Sequence, residues 1–422
     1  MNFKSYLEDR ARLLHNRSYL AFLLNCLLAP LGNGFVYIAL TWQTQSQTSS
    51  AGGVALLMLC LWGPAVILAP ASGYLVDHGS PRIMALLSNL IRGIIILLLA
   101  FLISSQEAYP WYLIYGSSIL LGALNSLYGP AAITLIRSLV TEKDLLYANS
   151  TADIIIEIGS VAGMGLAGIA LAWIGFELSL LLGGSCFCLA GLCFVFVNPS
   201  TENTSINQEE VAELSFLKSI QESFIIILRD KFLRTIYSMQ AILLMMLMTV
   251  PVLLAPYAQT VLTAKVSDFS TMEALFSIGA ISGGLLIPYL LQKFKKLFAM
   301  GTLWALMALV FFILAKTEDI MIAQVVYFFV GFGLASWAVV LSTAQEKTPI
   351  THQGRLVSFS NGLSGLIVMG LYILLYNFGE LIAVQNLYLV EALFCLLLVI
   401  FLSLNPSCFY VPNKNPKIKK AR

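Results

Sequence analysis

Gly73-Tyr-Leu-Val-Asp77-His-Gly-Ser-Pro-Arg82 is a short polar interruption between two long apolar runs, Ala51–Val76 and Ile83–Ile103. Only Asp77–Arg82 is left to turn the chain in water, so this stretch reads as the connector of a membrane-spanning hairpin. At the turn sit a carboxylate, Asp77, and a guanidinium, Arg82, with the small residue Gly73 one helical turn before the carboxylate. A connector held by charge on one bilayer face can make and break contacts as two parts of a protein rock.

Working outward, the same composition extends along the chain. Of 422 residues, 59% are hydrophobic and 11% charged. At roughly 20 apolar residues per span, that length holds about a dozen membrane helices. The expected class is therefore all-α and polytopic; a β-barrel would alternate polar and apolar residues instead of running apolar. Met1–Ser18 is a basic leader too polar to cross. Spans 1 to 6 are expected at Tyr19–Trp42, Ala51–Val76, Ile83–Ile103, Trp111–Ile136, Asn149–Trp173 and Leu178–Val197. Residues 198–230 form a polar linker carrying Glu202, Glu209, Glu210 and Glu213. Spans 7 to 12 follow at Phe232–Leu262, Ser270–Leu291, Leu297–Ala315, Met321–Thr343, Leu356–Phe378 and Val384–Leu404, with span 7 tilted or broken at Pro251 and Pro256. Residues 405–422 are a basic tail. The expected organisation is two six-helix bundles, 19–197 and 231–404, around the linker.

Cations test this layout. With twelve spans, all 24 Lys and Arg fall on one bilayer side except Lys265 and Lys316 on the other and Arg92 within span 3. The bias places both termini in the cytoplasm, in the cytoplasmic (inner) membrane. The halves also repeat: Gly73 and Gly284 are separated by half of the 422 residues, although Gly284-Leu-Leu-Ile-Pro288 has no carboxylate in the place of Asp77. Duplicated bundles place a substrate site between the halves near the midplane.

Ionisable residues inside spans mark pathways, because each costs at least about 2.5–3.5 kcal/mol at the bilayer centre. Glu157 lies about 12 Å into span 5 at roughly 1.5 Å per residue, and Asp153 is one turn nearer the cytoplasm on the same face. Burial and a like-charged neighbour both favour the protonated form of a carboxyl, so these two are the proton-coupling candidates, Glu157 first; the bland reading is a solvated Asp153 and a Glu157 that hydrogen-bonds a neighbouring helix. Arg92 in span 3 needs an acidic or carbonyl partner, and a fixed ion pair within the first half is the expectation, with contact to an anionic substrate the alternative. Glu391 in span 12 and Glu273 at the outer end of span 8 are weaker candidates. Asn33 cannot titrate but can bind a solute.

Several chemistries are disfavoured. His15, His78 and His352 all lie in cytoplasmic segments, so no midspan histidine relay or histidine metal site is expected. No cysteine falls in an outer loop, so no structural disulfide is expected. The chain has no phosphate-cradling Gly-x-x-x-x-Gly-Lys run, which argues against an ATP-driven pump. No cofactor, metal or nucleic acid is expected. The partners expected are protons, the lipid bilayer and a small-molecule substrate, with the chain acting as a monomer.

Gly73-x-Leu75-x-Asp77 with Arg82 resembles the signature between spans 2 and 3 of the major facilitator superfamily, a fold of secondary transporters. Gly129-Pro130-Ala131, Ala148-Asn149, Arg92, Gln345, Pro349 and Gly354-Arg355-Leu356 are similar to the branch containing macrolide-efflux proteins and enterobactin exporters. The chain departs from drug:proton antiporters in span 5, where Gly163 is followed by Met164 and not by proline. The resemblance implies alternating access and a gate in which Asp77 meets the start of a second-half helix, just after Arg355, and pairs with Arg137. It also implies that spans 1, 4, 7 and 10 line the cavity. These offer Asn33, Tyr37, Tyr115, Asn125, Gln240, Met245 and Trp337, a set suited to an amphipathic solute, drug-like or siderophore-like. Export in exchange for protons is the leading expectation. Uptake of such a solute or of a lipid is the alternative, and a non-transporting receptor or scaffold the reading from another class.

Overall fold

In lipid every backbone N–H and C=O must be satisfied inside its own segment, so apolar runs of this length become helices. The structure, a computed structural model, describes residues 15–104, 110–141, 144–198, 225–291, 296–347 and 350–404, and is helical without strands among them. Most of the leader, most of the linker and the basic tail lie outside the described residues.

Span 1 is the helix Arg17–Thr48, begun by Asn16, whose side-chain oxygen accepts from the backbone N–H of Ser18 and Tyr19 at 3.0 and 3.2 Å. Spans 2, 3 and 4 are Ala51–His78, Pro81–Ser104 and Trp111–Leu139. Spans 8, 9, 11 and 12 are Val266–Leu290, Lys296–Leu314, Ile350–Phe378 and Val384–Leu404.

Four spans differ from the sequence reading. Spans 5 and 6 form one stretch, Leu145–Cys193, with no loop between them; the reversal is made by Gly175, whose φ of 85° a residue with a side chain would resist. Contacts with span 1 show the doubling back. Tyr19 donates to the carbonyl of Ala148, and Gly163 packs on Leu31, so span 5 runs parallel to span 1. Asn25 donates to the carbonyl of Ala190 and Gly32 packs on Gly183, so span 6 returns antiparallel. Eleven helical stretches are long and apolar enough to cross a bilayer among the described residues. Counting this one as two passes brings them to the expected twelve.

Span 7 is not broken at Pro251. Lys231–Pro256 runs through it and the irregularity falls just after Pro256, where Tyr257–Val261 is a π-helical turn. Span 10 is two helices, Ile320–Gly333 and Ser336–Lys347, interrupted at Leu334 and Ala335.

Within the first half, helices approach at small residues, as they must where lipid is as apolar as protein and close packing supplies the attraction. Gly159 and Gly163, four apart on span 5, set their backbone against Leu27 and Leu31 of span 1. A Cβ on Gly34 would lie 2.5 Å from the carbonyl carbon of Gly163. The interior is recognised by its polar residues more than by its apolar ones: Asn25, Asn89, Arg92, Gln240, Glu273 and Glu391 are all buried.

Candidate functional site

The two halves meet unevenly along their seam. At the bilayer face opposite Arg82 and Arg137, the seam is sealed. Tyr37 of span 1 donates its hydroxyl to Oε1 of Glu273 in span 8 at 2.9 Å. Gln259, carried by the π turn after span 7, donates to the carbonyl of Trp42 at 3.1 Å and to Oγ of Ser46 at 3.0 Å. The Trp42 and Phe269 rings lie 5.5 Å apart, Gly168 abuts Ser270, and Gly52 abuts the carbonyls of Leu375 and Tyr376.

Towards the basic face the same helices part. Span 2 touches span 11 at Gly63 against Met369 and at Val66 against Gly365. Two turns beyond Val66, on the same helical face, Gly73 has nothing within 4 Å of where a Cβ would stand. Gly362, one turn beyond Gly365 in the same direction on span 11, is equally open. Span 5 touches span 8 at Gly165 against Ala274 and at Met164, whose sulfur is 3.6 Å from Oγ of Ser277. Two turns beyond Ser277, Gly284 also faces empty space, matching the openness of its repeat partner Gly73. The protein is therefore a V, closed at one membrane face and open at the other.

That geometry decides where the sequence candidates point. Glu157 lies two turns before Met164 and three before Gly168, so it falls on the stripe of span 5 that meets span 8. Both Glu157 and Asp153 are exposed, at the level where the halves have separated. Their stripe faces the open cleft and not the surrounding lipid.

Asn33, Tyr37, Arg92 and Asn125 are brought together. They line one small, open-sided cavity of about 50 Å³ with Trp62 and Phe187 on the first-half wall of the cleft. Arg92 sits at its back, 6% exposed, with its guanidinium carbon 4.2 Å from the centre of the Phe187 ring. The expected ion pair is not there: among the described residues no carboxylate reaches it. Its Nη1 makes a long bond of 3.4 Å to Oδ1 of Asn89, and its Nε has no partner. The helices that could carry a counter-charge at this depth, spans 1, 4 and 6, present only amides, hydroxyls and an aromatic face.

The other candidates lie apart. Tyr115 donates to the carbonyl of Gly53 at 3.2 Å, tying span 4 to span 2 within the first half. Gln240 is buried and donates to Asn361 at 3.2 Å within the second half. Met245 is half-buried against the second-half core. Trp337, just past the interruption of span 10, lines an apolar pocket with Leu243, Phe276, Met307 and Ser336.

Glu391 is buried, and Thr249 of span 7 donates its hydroxyl to Oε1 while Oε2 has no partner. One turn before Glu391 on the same helix, Tyr388 is fully buried. Arg82 donates Nε to the carbonyl of Phe194 at 2.9 Å and Nη2 to that of Val195 at 2.6 Å, capping the end of span 6 inside its own half. Arg137 is exposed, and the side chains of Asp77 and Arg355 lie outside the described residues.

Sequence reasoning undervalued Glu273. A weaker candidate by sequence, at the outer end of its span, it is 5% exposed and bonded across the seam. The signal was present: a carboxylate one turn inside an apolar helix whose partner helix in the other half carries a tyrosine at matching depth.

The Major Facilitator Superfamily model matches residues 22–372. The multidrug efflux pump Tap of Mycolicibacterium fortuitum is 22% identical over 376 residues, covering 83% of this chain and 88% of that protein. The uncharacterized MFS-type transporter YvqJ of Bacillus subtilis is 24% identical over 166 residues, a match spanning 39% of each chain. The crystal structure of the nucleoside transporter NupG superposes with a TM-score of 0.70 at 13% identity, covering 93% of this chain and 99% of that one, a likeness of fold. With its helical halves meeting around a one-sided cleft and a family match over most of its length, the chain belongs to the Major Facilitator Superfamily.

Proposed function

We propose that the protein is a secondary active transporter of the cytoplasmic membrane that exports a small amphipathic solute in exchange for protons. The observation that carries this reading is the one-sided seam: a cavity lined by Asn33, Tyr37, Trp62 and Asn125 opens towards the basic face while the Tyr37–Glu273 and Gln259 contacts close the other. The basic face is the cytoplasmic one, since cations collect there, so the chain is poised to load from the cytoplasm with both termini on that side. Similarity to Tap and to the macrolide-efflux and enterobactin-exporter branch supports export.

Coupling is assigned to Glu157 with Asp153 in support. Both stand in the open cleft where they meet cytoplasmic water, and closing the cleft carries their stripe against span 8 around Gly284 and Leu285, which offer no charge. A carboxylate cannot enter that contact bare, so the cleft closes either with the group protonated or with bound solute holding it away from span 8, and exchange follows because the solute leaves on one closure and the proton returns on the other. Gate contacts of Asp77 with Arg137 and the start of span 11 would form in the same movement. Glu273 is the second proton-binding candidate, because opening the outer seam breaks its bond to Tyr37 and admits water.

The test uses everted membrane vesicles made acidic inside, with acridine orange reporting proton release on addition of a panel of amphipathic solutes. At least one solute is expected to release protons and to accumulate only with the gradient. Glu157→Gln is expected to abolish both while leaving binding intact. Accumulation that ignores the gradient, or that survives Glu157→Gln and Glu273→Gln alike, would overturn the coupling.

A further inference from the structure

An arginine without a counter-ion inside a membrane protein asks what neutralises it. Arg92 is more than nine-tenths buried near mid-span, where an unpaired charge is expensive. Among the described residues, what surrounds it is neutral. Asn89 gives one long bond, Phe187 gives its ring face, and Tyr128 is committed to Oδ1 of Asn25, which in turn holds the carbonyl of Ala190. The Nε–H points at no acceptor. A guanidinium of this kind is kept where a planar anion is to be received, because its fork matches the two oxygens of a carboxylate, sulfonate or phosphate.

Arg92 also lines the cavity, and so does the second half of the recognition. Asn33 and Asn125 can donate amide hydrogens to the same oxygens, while Trp62, Leu121 and Phe187 present apolar surface. We infer that the solute is an organic anion: an acidic head held by Arg92, with an aromatic or aliphatic body lying along Trp62 and Leu121. This rests on the transport reading and adds the charge class of the substrate to it. It also gives the unpaired guanidinium a purpose, since the solute supplies the negative charge that the protein withholds.

The experiment uses a matched pair, 2-naphthalenesulfonate and 2-naphthalenemethanol, titrated calorimetrically against the full chain in nanodiscs of zwitterionic lipid. The wild type is expected to bind the sulfonate at least about tenfold more tightly than the alcohol, the worth of one charge-assisted contact. Arg92→Gln is expected to erase that preference and Arg92→Lys to keep part of it. Should Arg92→Gln fail to fold, Asn33→Asp tests the same point by supplying an internal counter-charge in the same cavity, and it too should erase the preference. Equal affinities in the wild type, no binding of either probe, or a preference surviving in the variants would overturn the inference. Failure here is separable from failure of the transport reading: gradient-driven accumulation of neutral or cationic solutes alone sinks the anion and leaves the transporter, whereas an anion preference without gradient-driven movement does the reverse.

Discussion

The two ends of the seam between the halves are built from the same kinds of residue and behave oppositely. At the sealed end, Gly168 and Gly52 are pressed against the other half; at the open end, Gly73, Gly284 and Gly362 keep the same helical faces and touch nothing. Small residues at a seam therefore do not by themselves hold it shut. They permit closure at either end, and what distinguishes the sealed end is its polar contacts, Tyr37 to Glu273 and Gln259 to span 1. A rocking protein needs such an arrangement, with surfaces that fit when brought together and a few bonds that can be exchanged for water.

The comparison breaks if the seam is no softer than the interior of a half, and the largest expected effect tests that. Gly34→Leu drives a side chain into the backbone of Gly163 within the first half, where nothing is free to part. It is expected to cost at least the upper end of the about 1–3 kcal/mol typical of overpacking and to leave no monodisperse protein on size-exclusion chromatography. Gly168→Leu places a similar side chain at the seam, against Ser270 and 3.1 Å from the carbonyl of Val266. Here the halves can separate, so the protein is expected to fold and to shift towards an outer-open state by about tenfold or more, read as a longer spin-label distance between positions 47 and 271. If Gly168→Leu unfolds the protein as Gly34→Leu does, the seam is not a hinge surface.

A smaller shift in the same direction is expected from Tyr37→Phe, which removes one hydrogen bond to a carboxyl group and keeps the ring. At about 1–1.5 kcal/mol the outer-open population should rise roughly five- to tenfold by the same distance measurement. The smallest effect on stability belongs to Gly362→Leu, where the added side chain meets open space. Thermal stability should stay within about 0.5 kcal/mol of wild type. Turnover should nevertheless fall, because the side chain obstructs closure, and labels at positions 74 and 363 should remain apart. A normal turnover would show that the open end does not close along these faces.

How much of this was legible in the chain differs by residue. The hairpin at Gly73–Arg82 and the burial of Arg92 and Glu391 could be read from hydrophobic runs and misplaced charges, because each depends on one segment choosing between water and hydrocarbon. Gly175 hid the junction of spans 5 and 6 only as to form, since one residue with positive φ does the work of a loop. The grouping of Asn33, Tyr37 and Asn125 with Arg92 was half legible: the residues could be listed, but Tyr115, Gln240 and Trp337 looked equally suited and are engaged elsewhere.

Sequence alone settled that the chain crosses the membrane many times as helices in two halves, because partition into a bilayer is decided span by span from local composition. Only the tertiary structure decided which end of the seam is shut, that Glu273 is bonded to a tyrosine 236 residues away, and that Arg92 looks into a cavity with no carboxylate beside it among the described residues. Those facts are relations between helices far apart in the chain, and no property of a single helix encodes the partner it will meet.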